Sequence, residues 1–171
     1  SIADEYLISK GIEQQVAPIS IIADDFFDKV KPKKRTKTKA AEVEHAIRHF
    51  IDLNIDEDPE LFASFAKALE EILQNFKGNW KLIYEELEKL RNKIKNREKE
   101  ETYGLDRKKQ MPFFNLFKSK LFGKENLKDK LSEDEIAQNA NLTQHVFNEI
   151  KLNILMTGML LVLIGKNLIE T

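Results

Sequence analysis

Three residues in this sequence have the type and spacing to do chemistry together: His45, Arg48 and His49. His45 and His49 are four apart, so a helix would put both imidazoles on one face. Such a pair can chelate zinc. The zinc-peptidase pattern, however, has a glutamate directly after the first histidine to act as base. Here the stretch is His-Ala-Ile-Arg-His, and the third histidine, His145, is far along the chain. A metal site is therefore not expected. What remains is a polar face that bonds to neighbouring helices or to a partner. An anion or nucleotide site on His45, Arg48 and His49 is the sharper alternative.

The second candidate is the run 31–39, Lys-Pro-Lys-Lys-Arg-Thr-Lys-Thr-Lys, with six basic residues in nine. Lys33, Lys34, Arg35, Lys37 and Lys39 could each contact a phosphate. Such contacts strengthen binding and steepen its salt dependence without reading sequence. No aromatic residue interrupts the run, so stacking on single-stranded bases is not indicated. The plain reading is a solvated linker, since like charges repel and Pro32 breaks a helix. Three other patterns do not survive inspection. Gly158 to Lys166 superficially resembles a phosphate loop, but six residues separate Gly158 from Gly165 and Asn167 stands where Ser or Thr would hold magnesium. The acidic cluster Asp56, Glu57, Asp58 and Glu60 lacks the alternation and glycine of a calcium loop. No Ser/His/Asp set or paired carboxylates can be placed for catalysis.

The elements that must position these residues are helical. Val43, Ala46 or Ile47, Phe50, and Leu53 or Asn54 recur at spacings of three and four, predicting a helix over residues 40–53 capped by Thr38. Asp58-Pro59 signals the start of another, with Asp as cap and Pro at the first position. Leu61, Phe62, Phe65, Leu69, Ile72, Leu73 and Phe76 give its core side, and Gly78 its left-handed stop. Asn79 caps a third, in which Trp80, Ile83, Leu87, Leu90 and Ile94 form one stripe above a mixed Glu/Lys face. These three read as an antiparallel bundle with short turns. Helices over 2–16 and 21–30 precede it. After a charged loop, Pro112 opens a helix over 113–122 whose phenylalanines predict near-complete burial as a plug for the bundle. A short amphipathic piece spans 127–131. The Ser132 to Glu135 capping box opens a helix toward Asn139. A separate helix is expected over 142–156, and 159–169 is ambiguous, with helix favoured.

The fold class is all-α, an irregular multi-helix bundle with short turns. It is organised as N-terminal helices over 1–30, a basic linker over 31–39, a bundle core over 40–122 and a helical annex over 123–171. Composition agrees: of 171 residues, 6 are Gly and 4 Pro, while 42% are hydrophobic and 33% charged. The absence of cysteine excludes a disulfide framework, a thiolate metal site and a cysteine nucleophile, and fits a cytoplasmic location. The first residue is Ser1, with no initiator Met and no signal-peptide pattern, which reads as a fragment or a tagless expressed chain. The longest apolar run, 154–164, is short of the roughly 20 residues a membrane helix needs, so no membrane is expected. Net charge is −1, so the basic run is a local signal.

One combination goes beyond a helical domain of open function. It is Lys37-Thr38-Lys39-Ala40-Ala41-Glu42-Val43-Glu44-His45-Ala46-Ile47-Arg48-His49, then Glu57-Asp58-Pro59, then Trp80. With the stretch from Pro18 to Phe26, Gly104-Leu105 and Pro112-Phe113-Phe114, it resembles the C-terminal region of the motor (R) subunit of type I restriction enzymes. The resemblance covers about residues 17–122. Phe50 departs from a pattern that often has a polar residue or histidine there. The resemblance implies a bacterial, cytoplasmic parent that translocates and cleaves DNA using ATP and magnesium, in a complex with methyltransferase and specificity subunits. Neither a Walker nor a nuclease motif is present, so no catalysis and no cofactor are expected for this part. Its implied task is assembly: docking the motor onto the methyltransferase core while touching double-stranded DNA non-specifically. A nucleotide-binding regulatory module and a purely structural bundle are the alternatives.

Overall fold

A computed structural model describes residues 21–26, Val30 and 35–169, with side chains described as far as Met159. Lys33, Lys34 and the expected helix over 2–16 lie outside the described residues. The described elements are helical. They are α1 (Thr36–Asn54), α2 (Pro59–Asn75), α3 (Trp80–Asn96), a 3-10 turn (Arg97–Lys99), α4 (Met111–Lys120) and α5 (Glu133–Ile169). Among the described residues there is no strand. The chain divides into two compact units, Ser1–Glu101 and Thr102–Thr171.

In the first unit the turns follow local chemistry. The Asp58 carboxylate accepts from the Leu61 amide at 3.1 Å, and Pro59 fills the first helical position of α2. Gly78 takes φ +85°, a conformation that costs a side-chain-bearing residue about 1–2 kcal/mol. Asn79 then caps α3 through Leu82 N at 3.2 Å. The core is Val43, Ile47 and Ile51 of α1, Phe62, Phe65 and Leu69 of α2, and Ile83, Leu87, Leu90 and Ile94 of α3. Burying each such side chain favours folding by roughly 1.5–3 kcal/mol.

Two expectations for α1 are corrected. It begins at Thr36, so Thr38 is not its cap: Arg35 holds the N-cap position, with no side-chain cap bond. Lys37 and Lys39 are therefore helical and not part of a linker. The compensating contact is tertiary, since the Lys37 ammonium lies 4.9 Å from the centre of the Trp80 ring. The buried row is also rotated. Ile51 is buried and Leu53 is 70% exposed, because α1 packs against both α2 and α3 and buries a wider face centred on Val43, Ile47 and Ile51.

The helix directions decide what lies near what. Lys37 at the start of α1 meets Trp80 at the start of α3. Phe50 near the end of α1 lies 5.0 Å from the Arg97 guanidinium just after α3. So α1 and α3 run parallel, side by side, with α2 antiparallel to both.

The second unit is built on α4 and α5. Phe114 is buried, with the Tyr103 ring stacked on it at 5.1 Å, and Phe113 meets Phe147 edge-on at 6.2 Å. Of the expected apolar plug, Phe114 alone is fully buried and Leu121 is exposed. The reason is that α4 packs on one helix of its own unit, α5, and a single neighbour covers one face. Residues 127–131 form a turn and irregular chain, not a helix. The separate helices expected toward Asn139 and over 142–156 are one helix, continuous with the tail. Asn139, toward which the first of them was expected to run, lies within this helix, where its side-chain amide donates to the Phe114 carbonyl at 3.0 Å and is buried against α4.

The capping box of α5 is formed in both directions. Ser132 Oγ accepts from the Glu135 amide at 3.3 Å, and the Glu135 carboxylate accepts from the Ser132 amide at 2.7 Å. That backbone bond holds the Glu135 pKa below its ordinary value, helped by the Ser132 hydroxyl and Lys124 and opposed by slight desolvation. A depressed carboxylate contributes stability that is present at neutral pH and lost as pH falls through the depressed value. Ser132→Ala removes the other half of the box, the hydroxyl that accepts from the Glu135 amide, and should weaken the start of α5 by about 1 kcal/mol. Amide exchange at residues 133–136 should quicken, while the backbone bond from residue 132 to the Glu135 carboxylate is kept. No change in exchange would show that the box is not formed in solution.

Candidate functional site

The polar residues of α1 separate into two groups. Glu44 points inward and its side chain is 1% exposed. One of its oxygens accepts from Arg48 Nε at 2.9 Å, and no donor among the described residues reaches the other. Arg48 is also 2.7 Å from Glu70 on α2. One guanidinium thus joins two carboxylates and ties α1 to α2. Burial acts to lower the Arg48 pKa, but hydrogen bonds to Glu44 and Glu70, and their charge, outweigh it and hold it above its ordinary value. An anion arriving at Arg48 would compete with both partners.

His45 and His49 do share a face, as their spacing requires, with rings stacked at 6.5 Å between centres and 14° between planes. His49 is exposed and His45 half-buried. Among the described residues no group of three or more His, Cys, Asp or Glu side chains comes together to hold a metal.

The basic residues are placed differently. Arg35 and Lys37 are exposed and Lys39 is half-buried, all at the start of α1. The ring under Lys37 fixes that end of the helix, so the charges are carried on ordered backbone.

Sequence reasoning missed Arg91. Placed among the Glu and Lys residues of α3, it reads as one more solvated cation. It is buried, and its Nε and one terminal nitrogen donate to the carbonyls of Ile21 and Ala23 at 2.7 and 2.6 Å. Its guanidinium also lies 5.4 Å from the Phe26 ring. Burial lowers its pKa, offset in part by the charge of Asp24. Asp24 pairs with Lys95, whose hydrogen bond and charge hold the carboxyl below its ordinary value. The upstream segment is thus fastened to the bundle by α3. The signal that could have found this is Ile21, Ile22 and Phe26 upstream, which need a surface to cover.

A further feature lies on α5. The helix packs as far as Phe147, and every residue from 148 to 159 is exposed. Ile150, Leu152, Ile154, Leu155, Met156 and Met159 are among them. At 1.5 Å per residue the whole helix is about 55 Å long, far more than its packed part requires. Among the described residues no helix is long and apolar enough to cross a membrane.

Comparison with protein families, with curated proteins and with solved structures finds no match to this chain.

Proposed function

We propose that this chain is the C-terminal assembly region of the motor subunit of a type I restriction enzyme, docking the motor onto the methyltransferase core and touching DNA through its backbone. The observation that carries the docking half is the exposed apolar length of α5. Six large apolar side chains between Ile150 and Met159 stand in solvent. Contiguous apolar surface of this kind marks an interaction site. The reading is also supported by where the residues behind the resemblance lie. Glu44 and Arg48 form the buried tie between α1 and α2, Asp58-Pro59 starts α2, and Trp80 holds Lys37. Residues with such roles follow a shared architecture, so a likeness in them has a physical basis. On this reading the chain performs no catalysis. ATP hydrolysis and DNA cleavage belong to the parent's other domains, and sequence readout belongs to the specificity subunit.

The test is capture by a purified methyltransferase core, with and without duplex DNA. Ile154→Glu with Leu155→Glu should reduce capture at least tenfold and leave the thermal midpoint unchanged, since both side chains are exposed. Undiminished capture by this variant would remove α5 from the interface. No capture of the parent chain would end the assembly reading.

A further inference from the structure

The parallel arrangement of α1 and α3 has a consequence for charge. Both helices begin at the same end of the first unit, and the turn between α2 and α3 lies there too. That turn carries Lys77, and the first turn of α3 carries Lys81, next to the Trp80 ring that Lys37 covers. Both lysines are exposed. Five cations from two distant stretches, Arg35, Lys37, Lys39, Lys77 and Lys81, therefore share one end of the bundle. Among the described residues, α1 and α3 have no acidic residue in their first turns, and none lies between Asn75 and Tyr84. The nearest inward on the three helices are Glu42, Glu71 and Glu85. The partial positive charge of two helix starts adds to the side chains. The rest of the unit mixes signs, as its Glu/Lys pairs show.

We infer that Lys77 and Lys81 belong to the same phosphate-contacting surface as the basic run, so that the DNA backbone is gripped by the end of the bundle and not by a linker. This rests on the reading that the chain touches DNA. It adds two residues that no basic cluster in the sequence marks, since each lysine stands alone between apolar and amide neighbours. A surface with cations on two helices fits a rigid run of phosphates better than a mobile tail does, because fewer side-chain and backbone rotations are lost on binding.

The experiment is a mobility-shift titration of the full chain on a short DNA duplex across a range of salt. Three variants accompany the parent: Lys77→Ala/Lys81→Ala, Arg35→Ala/Lys39→Ala, and Lys108→Ala/Lys109→Ala, which removes two exposed charges from the second unit. Each phosphate contact contributes about 0.9 to the slope of log K against log salt. The first two variants should each flatten the slope by up to about 2, and the third should leave it unchanged. A parent-like slope for the Lys77/Lys81 variant, with flattening for Arg35/Lys39, overturns the inference and leaves DNA contact standing. Equal flattening by all three also overturns it, since binding would then follow overall charge. A parent chain with no salt-dependent binding removes DNA contact itself, and the inference with it.

Discussion

Arg48→Met should destabilise the first unit by about 3–5 kcal/mol, the cost of leaving a buried carboxylate without its counter-charge. Glu44 is 1% exposed, and one of its two oxygens already has no hydrogen-bond donor. Arg48 is its only described charge partner, at 2.9 Å. Without Arg48, Glu44 must either stay charged in an apolar setting or take up a proton, and both cost free energy. Glu70, at 49% exposure, loses little, because water replaces its partner. Glu44→Met alone should be mild, since Arg48 is partly exposed and keeps Glu70. The double variant Glu44→Met/Arg48→Met should return close to the parent or exceed it, as replacements of buried ion pairs by apolar residues often do. The single tryptophan, Trp80, lies in this unit, so its fluorescence during urea unfolding reads the relevant transition. A cycle in which Arg48→Met costs under about 0.5 kcal/mol, or in which the two changes simply add, would show that the pair does not hold α1 to α2.

This expected result also explains why the histidine pair is a poor guide to function. The pattern around residue 45 draws attention to imidazoles, yet the buried member of the stretch is Glu44, one position earlier. Helix periodicity could have shown it. Glu44 falls between the apolar positions Val43 and Ile47, on the face turned to α2, whereas His49 points to solvent.

Local chemistry was legible elsewhere. Asp58, Asn79 and the Ser132/Glu135 box bond to amides three residues away, so the sequence contains both partners of each bond. The stripe of α3 from Ile83 to Ile94 was legible because one periodic face meets the bundle. What could not be read locally depends on remote partners. The start of α1 moves to Thr36 with Lys37 seated on Trp80, and the continuity of α5 through Asn139 is accompanied by a bond that Asn139 donates to α4. Of the candidate site, the basic run is legible in the sequence, but its neighbours Lys77 and Lys81 are not. Their proximity comes from the parallel course of α1 and α3, which no spacing records.

Arg91 makes the strongest case for remote determination, and replacing it should release the upstream segment. Its guanidinium donates to the carbonyls of Ile21 and Ala23, and it covers the Phe26 ring. Arg91→Met keeps much of the apolar stem but leaves the Ile21 carbonyl without its described donor, at about 1–3 kcal/mol if it stays buried, and leaves the Ala23 carbonyl with the Phe26 amide alone. That loss then weighs against the burial of Ile21, Phe26 and Val30, three apolar side chains each 0–1% exposed. The Asp24–Lys95 pair cannot make up the difference, since Asp24 is 96% exposed and water screens it. Arg91→Lys should be intermediate. An ammonium can reach one carbonyl well, but it cannot reproduce the planar fork that serves Ile21 and Ala23 together while lying over a ring. Limited proteolysis separates this from a general loss of stability. Cleavage within residues 21–30 should quicken at least tenfold in Arg91→Met under conditions where Trp80 fluorescence still reports a folded bundle. If Arg91→Lys resists protease as the parent does, the fork geometry is not what fastens the segment. If Arg91→Met also resists, the burial of Ile21, Phe26 and Val30 suffices without it.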